Sequence, residues 1–186
     1  MTATLAQAAA FWREGDFPNA ARACAAILAS DPTHFDALHL LGVVCTNLGQ
    51  AADGLAFLLR AAATGTDSAQ LRSNLGVAYA TLRRFDEATE SYRRALEIGP
   101  RSAGALNNLG LALLERDDRD EAADMFQAAL ALDPAFHAAH YNLAKAWAAS
   151  GRLAEAETIS RGLLNDCRPI RRPNARATSP TSTHGI

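Results

Sequence analysis

Apolar residues recur along this chain at i, i+3, i+4 and i+7, in short runs separated by polar turns. Between 103 and 136, the first run places Leu106, Leu109, Gly110 and Leu113 on one helical stripe. The polar segment ERDDRD follows, then a second stripe of Ala122, Met125, Phe126 and Ala129. Asp133-Pro134 closes it, because the residue before a proline is held away from helical angles. The segment therefore predicts two short amphipathic helices around a tight turn. A pair this short cannot bury its apolar stripes alone, whereas stacked copies can.

The copies are present. Aligned from Met1, the chain divides into blocks 1–34, 35–68, 69–102, 103–136 and 137–170 with no insertion or deletion. Leucine-glycine recurs at Leu41-Gly42, Leu75-Gly76 and Leu109-Gly110, with Leu143-Ala144 in the fifth block. Three residues after the small residue stand Cys45, Tyr79, Leu113 and Trp147. Later come Ala20, Gly54, Ala88, Ala122 and Ala156, each followed four residues on by Cys24, Leu58, Tyr92, Phe126 or Ser160. Pro32, Pro100 and Pro134 close three of the blocks.

This pattern, L-G-x-x-Y then A-x-x-x-F then P in a 34-residue frame, resembles the tetratricopeptide repeat family over residues 1–170. The resemblance implies an all-α fold, a right-handed superhelical α-solenoid of helix-turn-helix units. It implies a non-catalytic protein–protein interaction scaffold, with no cofactor, binding a protein or peptide partner in a concave groove. Departures lie mainly at the ends: Gln7-Ala8 replaces leucine-glycine in block one, and Arg168 stands at the proline position of block five. Block two has Thr66 where proline is usual and Gly54 where alanine is usual.

Thr4 and Gln7 occupy positions that are bulky and apolar inside the array, which suits a polar outer cap. Ile159, Leu163 and Leu164 leave an apolar edge at the other end, a candidate surface for self-association. Residues 171–186, rich in Arg, Pro, Ser and Thr, predict a disordered tail. The formal net charge is -2, and Arg168, Arg171, Arg172 and Arg176 contribute +4, so the remainder is -6. Neither figure argues for nucleic acid as a partner. No stretch reaches the roughly 18 apolar residues of a membrane span, and the N-terminus makes a poor signal peptide. Three cysteines are no disulfide framework and fit a reducing, cytoplasmic setting.

On a helical wheel of about 100° per residue, block positions 4, 7, 8 and 11 point toward neighbouring helices. Positions 2, 5, 6, 9, 12 and 13 point the other way, toward the inside of a solenoid lined by the first helix of each pair. Asn74, Asn108 and Asn142 all hold position 6 and predict a ladder along that inner face. A primary amide offers two donors and an acceptor, which matches an extended peptide backbone. His39, Ser73, Asn107, Tyr141 and Lys145 complete the expected groove. Two readings of the ladder stay open: it holds a peptide, or it bonds to neighbouring helices as a structural habit of the repeat.

O-linked N-acetylglucosamine transferases carry superhelices lined by such asparagines, and HFDALHLLGVV resembles repeats of bacterial enzymes of that kind. That resemblance implies an alternative: the substrate-recruiting part of a glycosyl- or sulfotransferase whose catalytic domain is absent from this chain. The lysines of the chaperone-binding carboxylate clamp are missing at position 5, and Lys145 stands alone. No residues here group as a catalytic site. His137 and His140 are three apart but lack a third metal ligand, and Cys24 and Cys45 fall at packing positions. Acidic DDRDEAAD spans a turn and a helix start, where carboxylates favour the helix dipole. Arg83-Arg84 and Arg93-Arg94 form a small basic patch.

Overall fold

The computed structural model describes residues 4–166, with side chains to residue 161. The tail at 171–186, Cys167, Arg168 and the side chains of Leu163 and Leu164 lie outside the described residues. The described residues form ten helices in antiparallel pairs: α1 (Leu5–Arg13) with α2 (Phe17–Ser30), α3 (Phe35–Asn47) with α4 (Ala51–Ala63), α5 (Ala69–Thr81) with α6 (Phe85–Ile98), α7 (Ala103–Glu115) with α8 (Arg119–Leu132), and α9 (His137–Ala149) with α10 (Leu153–Asp166). None is long and apolar enough to cross a membrane.

Local chemistry starts and stops these helices. The Ser68 and Ser102 hydroxyls accept the Leu71 and Ala105 amides at the starts of α5 and α7. Thr4 and Gln7 form a reciprocal capping box at α1, so the two polar residues of the exposed end also start its first helix. Asp120 and Glu121 lie in the first turn of α8, where the macrodipole favours negative charge. Each turn inside a pair passes through one residue with positive φ, at block position 15. Gly15, Gly49 and Gly151 take it at 77°, 80° and 79°, but Arg83 and Asp117 take it at 58° and 69°.

Every helix packs on the one before and the one after it. Among the described residues, the backbone of each odd helix also comes close to that of the next odd helix, while the backbones of successive even helices stay apart. Odd helices therefore line the inner face of a solenoid and even helices the outer face.

Burial corrects the wheel. Positions 7 and 8 are core as expected, but positions 3 and 10 are buried in all four complete inner helices: Ala37, Leu71, Ala105 and Ala139, and Val44, Ala78, Ala112 and Ala146. Position 4 is mixed: Leu38 is buried, while Arg72, Leu106 and His140 are only half-buried. A helix in a stack meets neighbours on several sides, so its buried arc is wider than a single amphipathic stripe.

Within each pair, positions 8 and 24 are complementary. A Cβ at Gly42, Gly76 or Gly110 would come within 2.6, 2.5 and 2.6 Å of the Leu58, Tyr92 and Phe126 side chains. Where position 8 is alanine the opposite residue is small: Ala8 with Cys24, and Ala144 with Ser160.

Candidate peptide-binding groove

The ladder asparagines project from α5, α7 and α9 on the inner face, and their partners come from the preceding repeat. Asn74 Nδ2 lies 2.7 Å from His39 Nε2. An amide nitrogen only donates, so the imidazole accepts and is neutral, with its proton on Nδ1. Burial pushes the His39 pKa below its ordinary value against the opposing pull of Asp36. Asn142 Nδ2 donates to Asn107 Oδ1 at 2.9 Å. Both bonds join position 5 of one repeat to position 6 of the next.

The middle rung differs. Ser73 holds position 5 opposite Asn108, and no bond joins them. Asn108 Oδ1 accepts from its neighbour Asn107 at 3.4 Å, and its amide nitrogen has no acceptor among the described residues. Gln70 Nε2 adds a long bond to Asn74 Oδ1 at 3.3 Å.

These contacts correct the expectation that the ladder faces open space. Asn142 is 9% exposed and Asn107 6%, and the Asn142 amide supplies the donor that the buried Asn107 oxygen needs across the repeat boundary. Asn74, Asn108, His39 and Ser73 are half-buried. Tyr141 is 66% exposed and Lys145, four residues on, is also exposed, with no ion pair among the described residues.

Two hollows open on this face. One, of about 390 Å³, sets Leu5, Trp12, Leu40 and Val43 opposite His39 and Asn74. The other, of about 260 Å³, is lined by Val77, Phe85, Leu111 and Ala112 with Asn108 and Glu115 at its side. Trp12, Gln70 and Phe85 were not among the sequence-predicted site residues. Trp12 and Gln70 hold inward wheel positions 12 and 2, whereas Phe85 begins an outer helix and carried no such signal.

The other candidates resolve into structure. His140 Nε2 meets the Pro134 carbonyl at 2.9 Å, and no three His, Cys, Asp or Glu side chains group to hold a metal among the described residues. Cys24 and Cys45 are buried in one apolar cluster with Ala8 and Leu41, and burial pushes the Cys24 thiol up to about 11. Arg83, Arg84, Arg93 and Arg94 pair with Glu115, Glu87, Glu121 and Glu97, so the basic patch is neutralised surface.

One tetratricopeptide-repeat family model matches residues 67–135, and a second matches 11–76 and 113–166. The chain belongs to the tetratricopeptide repeat family. Its fold is that family's all-α superhelical solenoid. No curated protein matches it in sequence. Among solved structures, a crystal structure of MamA is similar at 25% identity and TM-score 0.78, covering 85% of this chain and 92% of MamA. A MamA fragment from Desulfovibrio magneticus RS-1 superposes at TM-score 0.79 with 16% identity, covering 85% and 89%. YrrB, a TPR protein with an unusual peptide-binding site, shares the fold at TM-score 0.74 and 20% identity, covering 85% and 81%.

Proposed function

We propose that this tetratricopeptide repeat protein is an interaction scaffold that takes an extended partner polypeptide into its concave groove. On this reading the five blocks over 1–170 act as one array, and the chain presents a surface rather than a catalytic centre. The observation that carries it is Asn108. Its amide nitrogen lacks an acceptor and stands beside an apolar hollow, which suits a backbone carbonyl with a side chain next to it. The peptide-binding site of YrrB supports the reading by likeness of fold. The two dyads narrow the ladder: Asn74 and Asn142 each already spend one amide N–H within the protein, whereas Asn108 spends none among the described residues.

Twelve-residue peptides selected from a random display library against the full chain test this. Amide shifts in the ¹⁵N-labelled protein should map to α5, α7 and Leu111. Asn108→Ala should weaken binding about tenfold, the scale of one hydrogen bond, without moving the melting temperature. Binding confined to the outer helices α4, α6 and α8 overturns the proposal.

A further inference from the structure

A third hollow, of about 470 Å³, opens where the third and fourth repeats meet, and Gln70, Ser73, Arg101 and Ser102 line it together with Ala69 and Ala105. Three observations converge on it. First, Ser73 is the short residue at position 5, where His39 and Asn107 close the other two boundaries by hydrogen bonds. Its hydroxyl makes no hydrogen bond among the described residues. Second, Arg101 is exposed and makes no hydrogen bond or ion pair among the described residues. Every other described arginine is engaged by a carboxylate, an amide oxygen or a backbone carbonyl. Third, no acidic side chain lines the hollow, so its local charge is that of the single guanidinium.

We propose that this hollow receives the carboxylate of an internal Asp or Glu side chain from an extended partner segment, held by the Arg101 guanidinium and the Ser73 hydroxyl. The inference rests on the reading of the concave face as a peptide groove and adds its chemistry. Guanidinium and carboxylate form charge-assisted bonds in matched planar geometry. Repeats continue on both sides of the hollow, so the groove runs past it, and an acid inside a segment fits better than a chain end.

The neighbouring hollow beside Asn108 specifies a second residue. Both hollows lie on the seam between α5 and α7. The first is walled by Gln70 and Ser73, the second by Val77 and Thr81. Seven or eight residues at about 1.5 Å rise separate them by about 11 Å. An extended chain covers that in roughly three to four residues. The fitting segment therefore carries an acidic residue and an apolar residue about four positions apart, with the intervening backbone over Asn108.

Synthetic twelve-residue peptides, acetylated and amidated to remove terminal charge, test this by fluorescence anisotropy with the full chain. One position is Glu, Gln or Lys, and the residue four positions on is Leu or Ser. The Glu/Leu peptide should bind about tenfold tighter than its Gln/Leu counterpart, and the difference should shrink as salt rises. Arg101→Glu, an exposed change that circular dichroism should show as folded, should reverse the preference toward Lys. Ser73→Asn should weaken all members by closing the boundary. Equal binding of the Glu and Gln peptides, or an unchanged preference in Arg101→Glu, overturns the carboxylate assignment while leaving the groove reading intact. Equally tight binding by a peptide whose only carboxylate is its free C-terminus overturns the internal-residue assignment. Absence of any binding up to millimolar peptide overturns the groove reading and this inference with it.

Discussion

Asn142 donates to Asn107 at 2.9 Å across a repeat boundary, and both side chains are buried. The ladder is thus partly an internal fastening. Asn142→Ala leaves the Asn107 oxygen buried without its donor and should cost about 1–3 kcal/mol. Asn108→Ala should stay within about 0.5 kcal/mol. Urea unfolding of the two variants checks this, and equal losses contradict the division of the ladder.

Ser73→Asn should create a third dyad, with Asn108, on the pattern of Asn107 and Asn142. The expected gain is about 0.5–1.5 kcal/mol, the net worth of one hydrogen bond. A raised urea midpoint supports it. A midpoint equal to that of Ser73→Ala shows that no bond formed.

Glycine at position 8 and the bulky residue at position 24 should behave as one unit. Gly110→Ala places a methyl against the Phe126 ring and should cost about 1–3 kcal/mol through overpacking, despite alanine's better helix propensity. Phe126→Cys alone should cost about 3 kcal/mol or more through the cavity. The double variant, which imitates Ala8 with Cys24, should cost less than the sum by about 1 kcal/mol or more. Strict additivity in a double-mutant cycle excludes the coupling.

His39 should make stability depend on pH. Its folded pKa lies below the ordinary value, so the folded state favours the neutral ring. Its contribution is fully present above the ordinary histidine value of about 6.5. It is lost as pH falls below that value and through the folded pKa. Protonation also turns the Nε2 acceptor into a donor facing the Asn74 amide. Unfolding midpoints between pH 7.5 and 5 should fall more steeply for the wild type than for His39→Asn, in which an amide pair replaces the imidazole. Parallel profiles rule this out.

Arg83 adopts the positive φ that glycine takes at three equivalent turns. Arg83→Gly should stabilise by roughly 1 kcal/mol, the left-handed penalty of an ordinary residue, less the weak exposed pair with Glu115. Thermal unfolding of this variant beside Asp117→Gly reads the effect. A loss in Arg83→Gly shows that the pair with Glu115 and the stacking of the guanidinium 5.2 Å over the Phe85 ring outweigh the strain.

The 34-residue period carries most of the fold, because each block states its own helix pair and the stripes have helical spacing. Positions 3 and 10 escaped that reading. A wheel assumes one buried direction, whereas α5 touches α3, α4, α6 and α7. The burial of Asn107 and Asn142 escaped it too. Their bond joins residues 35 apart, and no periodicity within a helix reports it. Laying position 5 of each block beside position 6 of the next displays the pairs His39–Asn74, Ser73–Asn108 and Asn107–Asn142. Side-chain length then distinguishes the serine boundary. Arg101 follows a proline between helices, where no stripe points to it.

Close backbone approach between successive inner helices, without the same approach between successive outer ones, has a mechanical consequence. Bending the array pivots on the packed inner line and stretches the outer line. There repeats are joined by long, exposed side chains such as Arg93 to Glu121 at 2.6 Å. Exposed ion pairs resist weakly and yield further to salt. The molecule is therefore a spring whose stiff edge is the concave face and whose soft edge is the convex one. Its curvature can change while the spacing of the inner-face residues stays nearly constant.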